Sequence, residues 1–398
     1  MSNVREYLRK KSERGKEKTP NYGALIQKHR LSVLSKVLLG IAVILGVVFA
    51  VYNNIQGQVY TGYTVISATP KEQYDTSTSL SFGKGFLTYS KDGISYTDSK
   101  GNAMWNKTYE MQNPMIRVKD GRVAVSDYNG HIIYSIAETG ESVEIDTNLP
   151  IRELAVSESG MVAAVLEDTS ITWINMYNSM GEKVAYLKTT MQKSGYPLAI
   201  ALSPDGKLLA VSYLSVESGA MKSSVAFYNF SSVGQNFVDN FASGADYADA
   251  VIPYINFMDS DTAFAVADNR LVFYSGDQRP KSIADVLLDE EIQSIFYNET
   301  NVGLVYVDTT GQGKYRMDIY GTNGLITQTI YMDMDYKDII IWKDNVLIYN
   351  ETQCLLVGKD GLVRYEGEFE KPYTLLIPIN TKRYTGVSKE SIDVLEMK

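Results

Sequence analysis

The stretch "ALSPDGKLLAVSYLS", residues 201–215, decides the fold. An apolar run leads into Ser203-Pro204-Asp205-Gly206-Lys207, and a second apolar run follows at once. Pro, Asp and Gly together specify a tight turn, because Gly and Asp tolerate backbone that other residues avoid. A strand is therefore expected on either side. The phrase recurs in degenerate form at Gly83-Lys84-Gly85, Lys119-Asp120-Gly121, Glu158-Ser159-Gly160, Asp259-Ser260-Asp261, Asn298 to Asn301, Lys343-Asp344-Asn345 and, weakly, Asn380-Thr381-Lys382. Successive last residues lie 36, 39, 46, 55, 40, 44 and 37 positions apart.

A second mark follows in each unit, an apolar strand with an aromatic residue running into a Gly turn. It reads "ISYTDSKG", "IIYSIAETG", "ITWINMYNSMG", "VAFYNFSSVG", "MDIYGTNG" and "CLLVGKDG", with "LVFYSGDQRP" in the fifth unit. Each unit is thus strand, tight turn, strand, loop, strand, Gly turn, strand. Four antiparallel strands per roughly 40 residues make a β-propeller blade. One blade cannot bury both of its faces, so blades must stack around an axis. Tyr96, Tyr134, Trp173, Tyr228 and Phe273 then read as filler between blades, and the 29 tyrosines suit such wedges.

Units begin near residues 79, 114, 151, 198, 251, 291, 334 and 373. The last has room for only three strands before Lys398, while "QVYTGYTVISAT", residues 58–69, stands unpartnered ahead of the first. The economical solution gives that segment to the last blade as its outer strand, closing the ring and removing open edges. The expected fold is all-β, an eight-bladed propeller with seven blades as the alternative, preceded by one transmembrane helix.

That helix is read from Leu31–Tyr52, whose only charge is Lys36. At about 1.5 Å per residue, a helix of this length crosses a bilayer core. Residues 1–36 hold ten Lys/Arg against three Glu, a charge of +7, which leaves −16 for the rest of a chain whose net charge is −9. A basic segment before an apolar span keeps the N-terminus in the cytoplasm. The expected organisation is a basic cytoplasmic tail over 1–30, the span over 31–52 and an extracytoplasmic propeller over 53–398. Cleavage as a signal peptide near Val48-Phe49-Ala50 is the rival, but the basic region is longer than an ordinary signal allows. With one cysteine, Cys354, no internal disulfide can form. The four Asn-x-Ser/Thr triplets at Asn106, Asn229, Asn298 and Asn350 suggest nothing beyond chance.

Ser203-Pro204-Asp205-Gly206-Lys207-Leu208-Leu209-Ala210-Val211 resembles the inner hairpin of WD40-like bacterial propellers, a likeness that implies fold and not activity. The whole layout resembles an uncharacterised, DUF5711-like family of membrane-anchored propellers from Gram-positive bacteria, which implies an envelope location and supplies no site. "TDSKGNAMW", through Trp105, is similar to the tryptophan-docking turns of quinoprotein-type propellers. Its Asp–Gly spacing is one residue short and the Trp is confined to this unit, so no quinone cofactor is expected.

The chemistry-bearing inventory is thin. Of two histidines, His29 belongs to the basic tail and His131 sits at a turn, so a nucleophilic triad lacks its base. Cys354 lies in an apolar strand and reads as a small buried hydrophobe. "YMDMDYKD", with Asp333, Asp335 and Asp338, lacks the glycine and terminal glutamate of an EF-hand. No catalytic, cofactor or metal residue is nominated. An acidic body repels nucleic acid, and the basic tail is better placed to meet anionic lipid. The fourth unit is the outlier, with long polar connections in "YLSVESGAMKSS" and "NFASGADYADA". Long propeller loops carry binding. The expected function is a membrane-tethered, non-enzymatic binding or scaffold module for an envelope protein or polymer. The alternative is a glycan hydrolase or lyase using carboxylates in the central channel.

Overall fold

A computed structural model of the chain describes residues 3–14, 22–71, 77–217 and 219–398. The chain divides into two units, Met1–Gln58 and Val59–Lys398.

Among its described residues the first unit holds two helices, Asn3–Arg14 and Tyr22–Gln56. Within the second, Lys28–Val47 has a mean hydropathy of 2.0 and is wholly unburied, making it a candidate membrane span. The helix extends past the expected 31–52 on both sides. Helix Asn3–Arg14 falls in the segment that the sequence reading treated as a mere basic tail.

The second unit contains eight sheets, each of four antiparallel strands. Seven blades are continuous in sequence, spanning 78–108, 114–146, 151–189, 196–248, 254–287, 292–332 and 338–368. The eighth is made of Leu375–Pro378, Arg383–Val387 and Ser391–Met397, with Tyr63–Pro70 as its outer strand. That strand pairs from Tyr63 opposite Met397 to Pro70 opposite Ser391, with a shift in register between Val65 and Ser67. Backbone bonds from Thr61 N–H to the Lys398 carbonyl at 2.6 Å and from Lys398 N–H to the Gly62 carbonyl at 2.8 Å fasten the join. The eight-bladed ring is thus closed by the two ends of the propeller.

Burial explains why strands differ within a blade. The second strand touches both neighbouring blades, so Val162–Asp168 is buried at five consecutive positions and Leu208–Glu217 at six. Such strands read as unbroken apolar runs. In outer strands such as Lys183–Thr189 only Leu187 and Thr189 are buried, alternating with exposed or half-buried positions. Eight apolar clusters fill the ring, each spanning two adjacent blades. Phe227 of the fourth blade meets Phe257 and Tyr274 of the fifth, with ring centroids at 6.3 and 5.0 Å. Phe86 of the first blade packs on Leu375, Ile377, Val387 and Ile392 of the eighth, sealing the last interface. Of the residues expected as filler, Tyr96 and Phe273 are buried, while Tyr134, Trp173 and Tyr228 pack half-buried at the edges of their clusters.

The repeated turn joins the first and second strands of every blade. In the fourth, Ser203 Oγ accepts the Leu208 N–H at 2.9 Å and donates to Asp205 at 2.7 Å. Gly206 has φ +73°, and a Cβ there would lie 2.5 Å from Met161 of the third blade, so conformation and packing both require glycine. This turn is five residues long. Two-residue turns occur where Phe82 faces Gly85, Lys119 faces Arg122 and Trp342 faces Asn345.

The 55-residue interval is accounted for inside the fourth blade. Its two middle strands, Leu208–Glu217 and Ala220–Asn229, are ten residues each and stay in register out to Glu217 opposite Ala220. What looked like a polar loop is a β-hairpin arm. Two 3-10 turns, Gly234–Asn236 and Val238–Asn240, then replace the Gly turn before the outer strand.

Candidate functional site

Because neighbouring strands of a blade are antiparallel, its first–second and third–fourth turns lie on one face of the ring. The second–third turn lies on the other. Tyr63 begins its strand opposite Met397, the end of a third strand, so the chain joins the propeller on the first of these faces. The arm projects from the opposite face.

At the arm, Val216 and Met221 are cross-strand partners and are exposed at 66% and 55%. Lys222 steadies the base, reaching Asp246 at 3.1 Å and Glu217 at 3.6 Å. The Met221 carbonyl accepts the Asp249 N–H at 3.2 Å, and Ser223 Oγ accepts the Ile252 N–H at 3.1 Å. These bonds tie the arm to the connection between blades four and five. That connection also walls a cavity of about 680 Å³ between blades five and six, lined by Val251, Pro253, Tyr254, Ile292, Ile295 and Phe296 among others. Asp268 holds its rim by accepting the Val251 N–H at 3.0 Å. An exposed apolar pair and an apolar hollow therefore sit on either side of one short, well-bonded connection.

The axial channel is a separate place. Lys119, on the first strand of blade two, crosses the axis to donate to the Phe257 carbonyl at 3.3 Å and the Tyr297 hydroxyl at 3.4 Å. Its ammonium also lies 5.6 Å from the centre of the Tyr297 ring. Burial pulls its pKa below the ordinary lysine value, against Glu158 and Asp120, which raise it. Lys119 divides two cavities of about 420 and 490 Å³. The larger is lined by Asp120, Glu158, Asp259 and Glu299, and burial followed by repulsion from Asp120 pushes the Glu158 carboxyl up. A glycan-cleaving channel would pair carboxylates with open aromatic platforms. Here, of the two aromatic residues lining that cavity, Phe257 is buried in the core and Tyr297 lies beneath an ammonium.

Residues weighed in the sequence are scattered. Exposed His131 lies 3.3 Å from Asp146 at the rim of blade two. Cys354 is fully buried, and desolvation pushes its thiol up to about 12, so the reactive thiolate is suppressed. Asp335 pairs with Lys314, whereas Asp338 accepts the Tyr349 hydroxyl at 3.2 Å, and burial raises its carboxyl. Among the described residues, no group of three or more His, Cys, Asp and Glu is placed to hold a metal ion. Trp105 docks on the neighbouring blade, donating to the Glu138 carbonyl. The arm was flagged by its spacing. Lys119 was passed over as an ordinary turn residue, because nothing local signals a partner 138 positions away.

A family model described as a family of unknown function (DUF5711) matches residues 56–397. No curated protein matches the chain. Among solved structures, BamB from Moraxella catarrhalis is similar over 84% of this chain and 100% of its own, with 11% identity and a TM-score of 0.47. Apo AztD from Citrobacter koseri is similar over 74% of this chain and 87% of its own, with 9% identity and a TM-score of 0.52. A second Citrobacter koseri AztD structure covers 81% of this chain and 89% of its own, with 8% identity and a TM-score of 0.50. The two AztD structures are β-propellers, and at such identities their likeness speaks to the fold alone.

Proposed function

The chain belongs to the DUF5711 family of unknown function, and from that premise we propose that it is a membrane-tethered propeller that binds an envelope protein, without catalysis, at the face carrying the blade-four arm. The observation that carries this reading is the Val216–Met221 pair, held out on an in-register hairpin beside an apolar hollow. Exposed apolar side chains on a rigid, bonded support favour association, because burying them releases water at little ordering cost. The apolar lining favours a partner that inserts apolar side chains over a polar polymer. Tethering is supported by the unburied apolar segment Lys28–Val47, and a cytoplasmic N-terminus by the basic residues ahead of it.

The test is a photo-crosslinking amino acid at Val216 in intact cells, with Val184 on the outer strand of blade three as the control position. A discrete envelope protein captured from 216 and not from 184, and lost when Met221→Lys is added, supports the reading. Equal capture from both positions, or capture of cell-wall polymer alone, overturns it.

A further inference from the structure

The helix Asn3–Arg14 is short and charged, yet its side chains are sorted by direction. At about 100° per residue, Val4, Tyr7 and Leu8 share one arc about 100° wide. They are exposed at 66%, 68% and 57%. Arg5 flanks that arc on one side and Lys10 on the other, while Arg9 turns toward the opposite face. Glu6 lies on the far side of the helix, 3.9 Å from Lys10. Lys11 falls inside the apolar arc itself.

We propose that this helix lies in the plane of an anionic lipid surface, with Val4, Tyr7 and Leu8 sunk below the headgroups and Arg5 and Lys10 at the phosphates. The inference rests on the tethered reading above, which brings the helix within reach of a bilayer. An apolar stripe edged by cations, with Glu6 turned away, is the layout that an anionic interface selects. Lys11 separates lipid from protein as the occupant. In a dry protein groove its ammonium would be desolvated without a partner. At a lipid interface its stem follows the acyl chains while its head reaches the phosphates. RNA would engage the cations but leave the three apolar side chains in water.

The test uses the full chain reconstituted in vesicles of mixed phosphatidylglycerol and phosphatidylcholine, or of phosphatidylcholine alone. Spin labels are placed singly through Val4→Cys, Glu6→Cys and Leu8→Cys. Buried Cys354 confines labelling to the introduced residues. Carbonate-resistant flotation reports the tether, and relative access of oxygen and a water-soluble nickel complex reports the depth of each label. The expected result is flotation with both lipids, with lipid-immersed labels at 4 and 8 and an aqueous label at 6, only when phosphatidylglycerol is present. High salt should weaken that difference. Flotation with equal aqueous access at all three positions overturns the helix proposal and leaves the tether standing. Loss of flotation overturns both. Spin–spin broadening between copies, or immobilisation by added RNA in place of lipid, assigns the stripe to another occupant and also overturns the proposal.

Discussion

Trp105 of the first blade donates its indole N–H to the carbonyl of Glu138 in the second, at 2.9 Å. The ring covers the turn that follows, and a Cβ on Gly140 would lie 2.9 Å from it. The pattern repeats around the ring: Gly181 turns against Val143 and Ile145 of the preceding blade, Gly324 against Ala284 and Val286, and Gly101 against Thr69 and Ile392 across the closure. The recurrent Gly turn is therefore a docking surface for the outer strand of the blade before it.

This pattern gives a paired test. Gly140 has φ +91° and Gly361 has φ +79°, but a Cβ on Gly361 meets nothing within 4 Å. Gly361→Ala should cost about 1 kcal/mol, the backbone term alone. Gly140→Ala should cost about 1–3 kcal/mol more, since Trp105 must be displaced from a packed interface. Urea unfolding of both variants measures the difference, and equal losses would remove the inter-blade contact from the account.

The eighth blade depends on a buried carboxylate. Asp393 is fully buried and accepts the Tyr373 hydroxyl at 2.6 Å, Ser391 Oγ at 2.9 Å and the Lys371 ammonium at 2.6 Å. Asp393→Leu leaves the buried Tyr373 hydroxyl without its acceptor, at a cost of about 1–3 kcal/mol, while the half-exposed Lys371 ammonium keeps Ser391 Oγ and water. Adding Tyr373→Phe should recover part of that loss by removing the orphaned hydroxyl. Chemical denaturation of the single and double variants checks this, and no recovery would count against the network.

Closure by the two ends predicts an asymmetric response to truncation. Removing residues 1–58 leaves the strand Tyr63–Pro70 in place, so the thermal midpoint should hold. Removing 1–70 exposes the edge of Ser391–Met397 along its whole pairing with that strand. An open edge of that length invites pairing with another chain. The expected outcome is a lower midpoint and aggregation seen by light scattering. Equal behaviour of the two truncations would mean that the ring does not need the join.

The blades were legible because their turns are chemically specific. Asn298 and Asn350, which look like glycosylation triplets, use their side-chain oxygens to accept the N–H groups of Thr300 and Asn301 and of Thr352 and Gln353. Asn229 does the same for Ser231. Three of the four triplets are thus turn caps, which is why they recur. The arm was misread because Ser215, Glu217 and Gly219 give its tip the composition of a loop. Only the cross-strand register of Val216 with Met221 shows the strands continuing. Helix Asn3–Arg14 was hidden by its charge, since three apolar residues in twelve make a weak periodic signal. The contact from Lys119 to Phe257 depends on the radius of the closed ring, a property that no local stretch encodes.

That contact sets the pH dependence of the channel. Burial lowers the pKa of Lys119 below the unfolded value of about 10.5. Between those two values the unfolded chain binds more protons than the folded one, so stability rises with pH there. Below the folded pKa, Lys119 is charged in both states and the full desolvation penalty is present. Lys119→Met removes the penalty together with the bonds to the Phe257 carbonyl and Tyr297 hydroxyl. Relative to that variant, wild-type protein should be weakest near neutral pH. It should gain as pH climbs through the folded pKa toward 10.5, by at most about 1.4 kcal/mol per pH unit. Tyr297 does not confound the comparison, because burial, followed by its coupling to Tyr254, pushes its own pKa above that window. Urea midpoints of the two proteins measured from neutral pH upward read the gap directly, and a gap that stays constant or widens with pH would show that the ammonium is fully compensated where it crosses the axis.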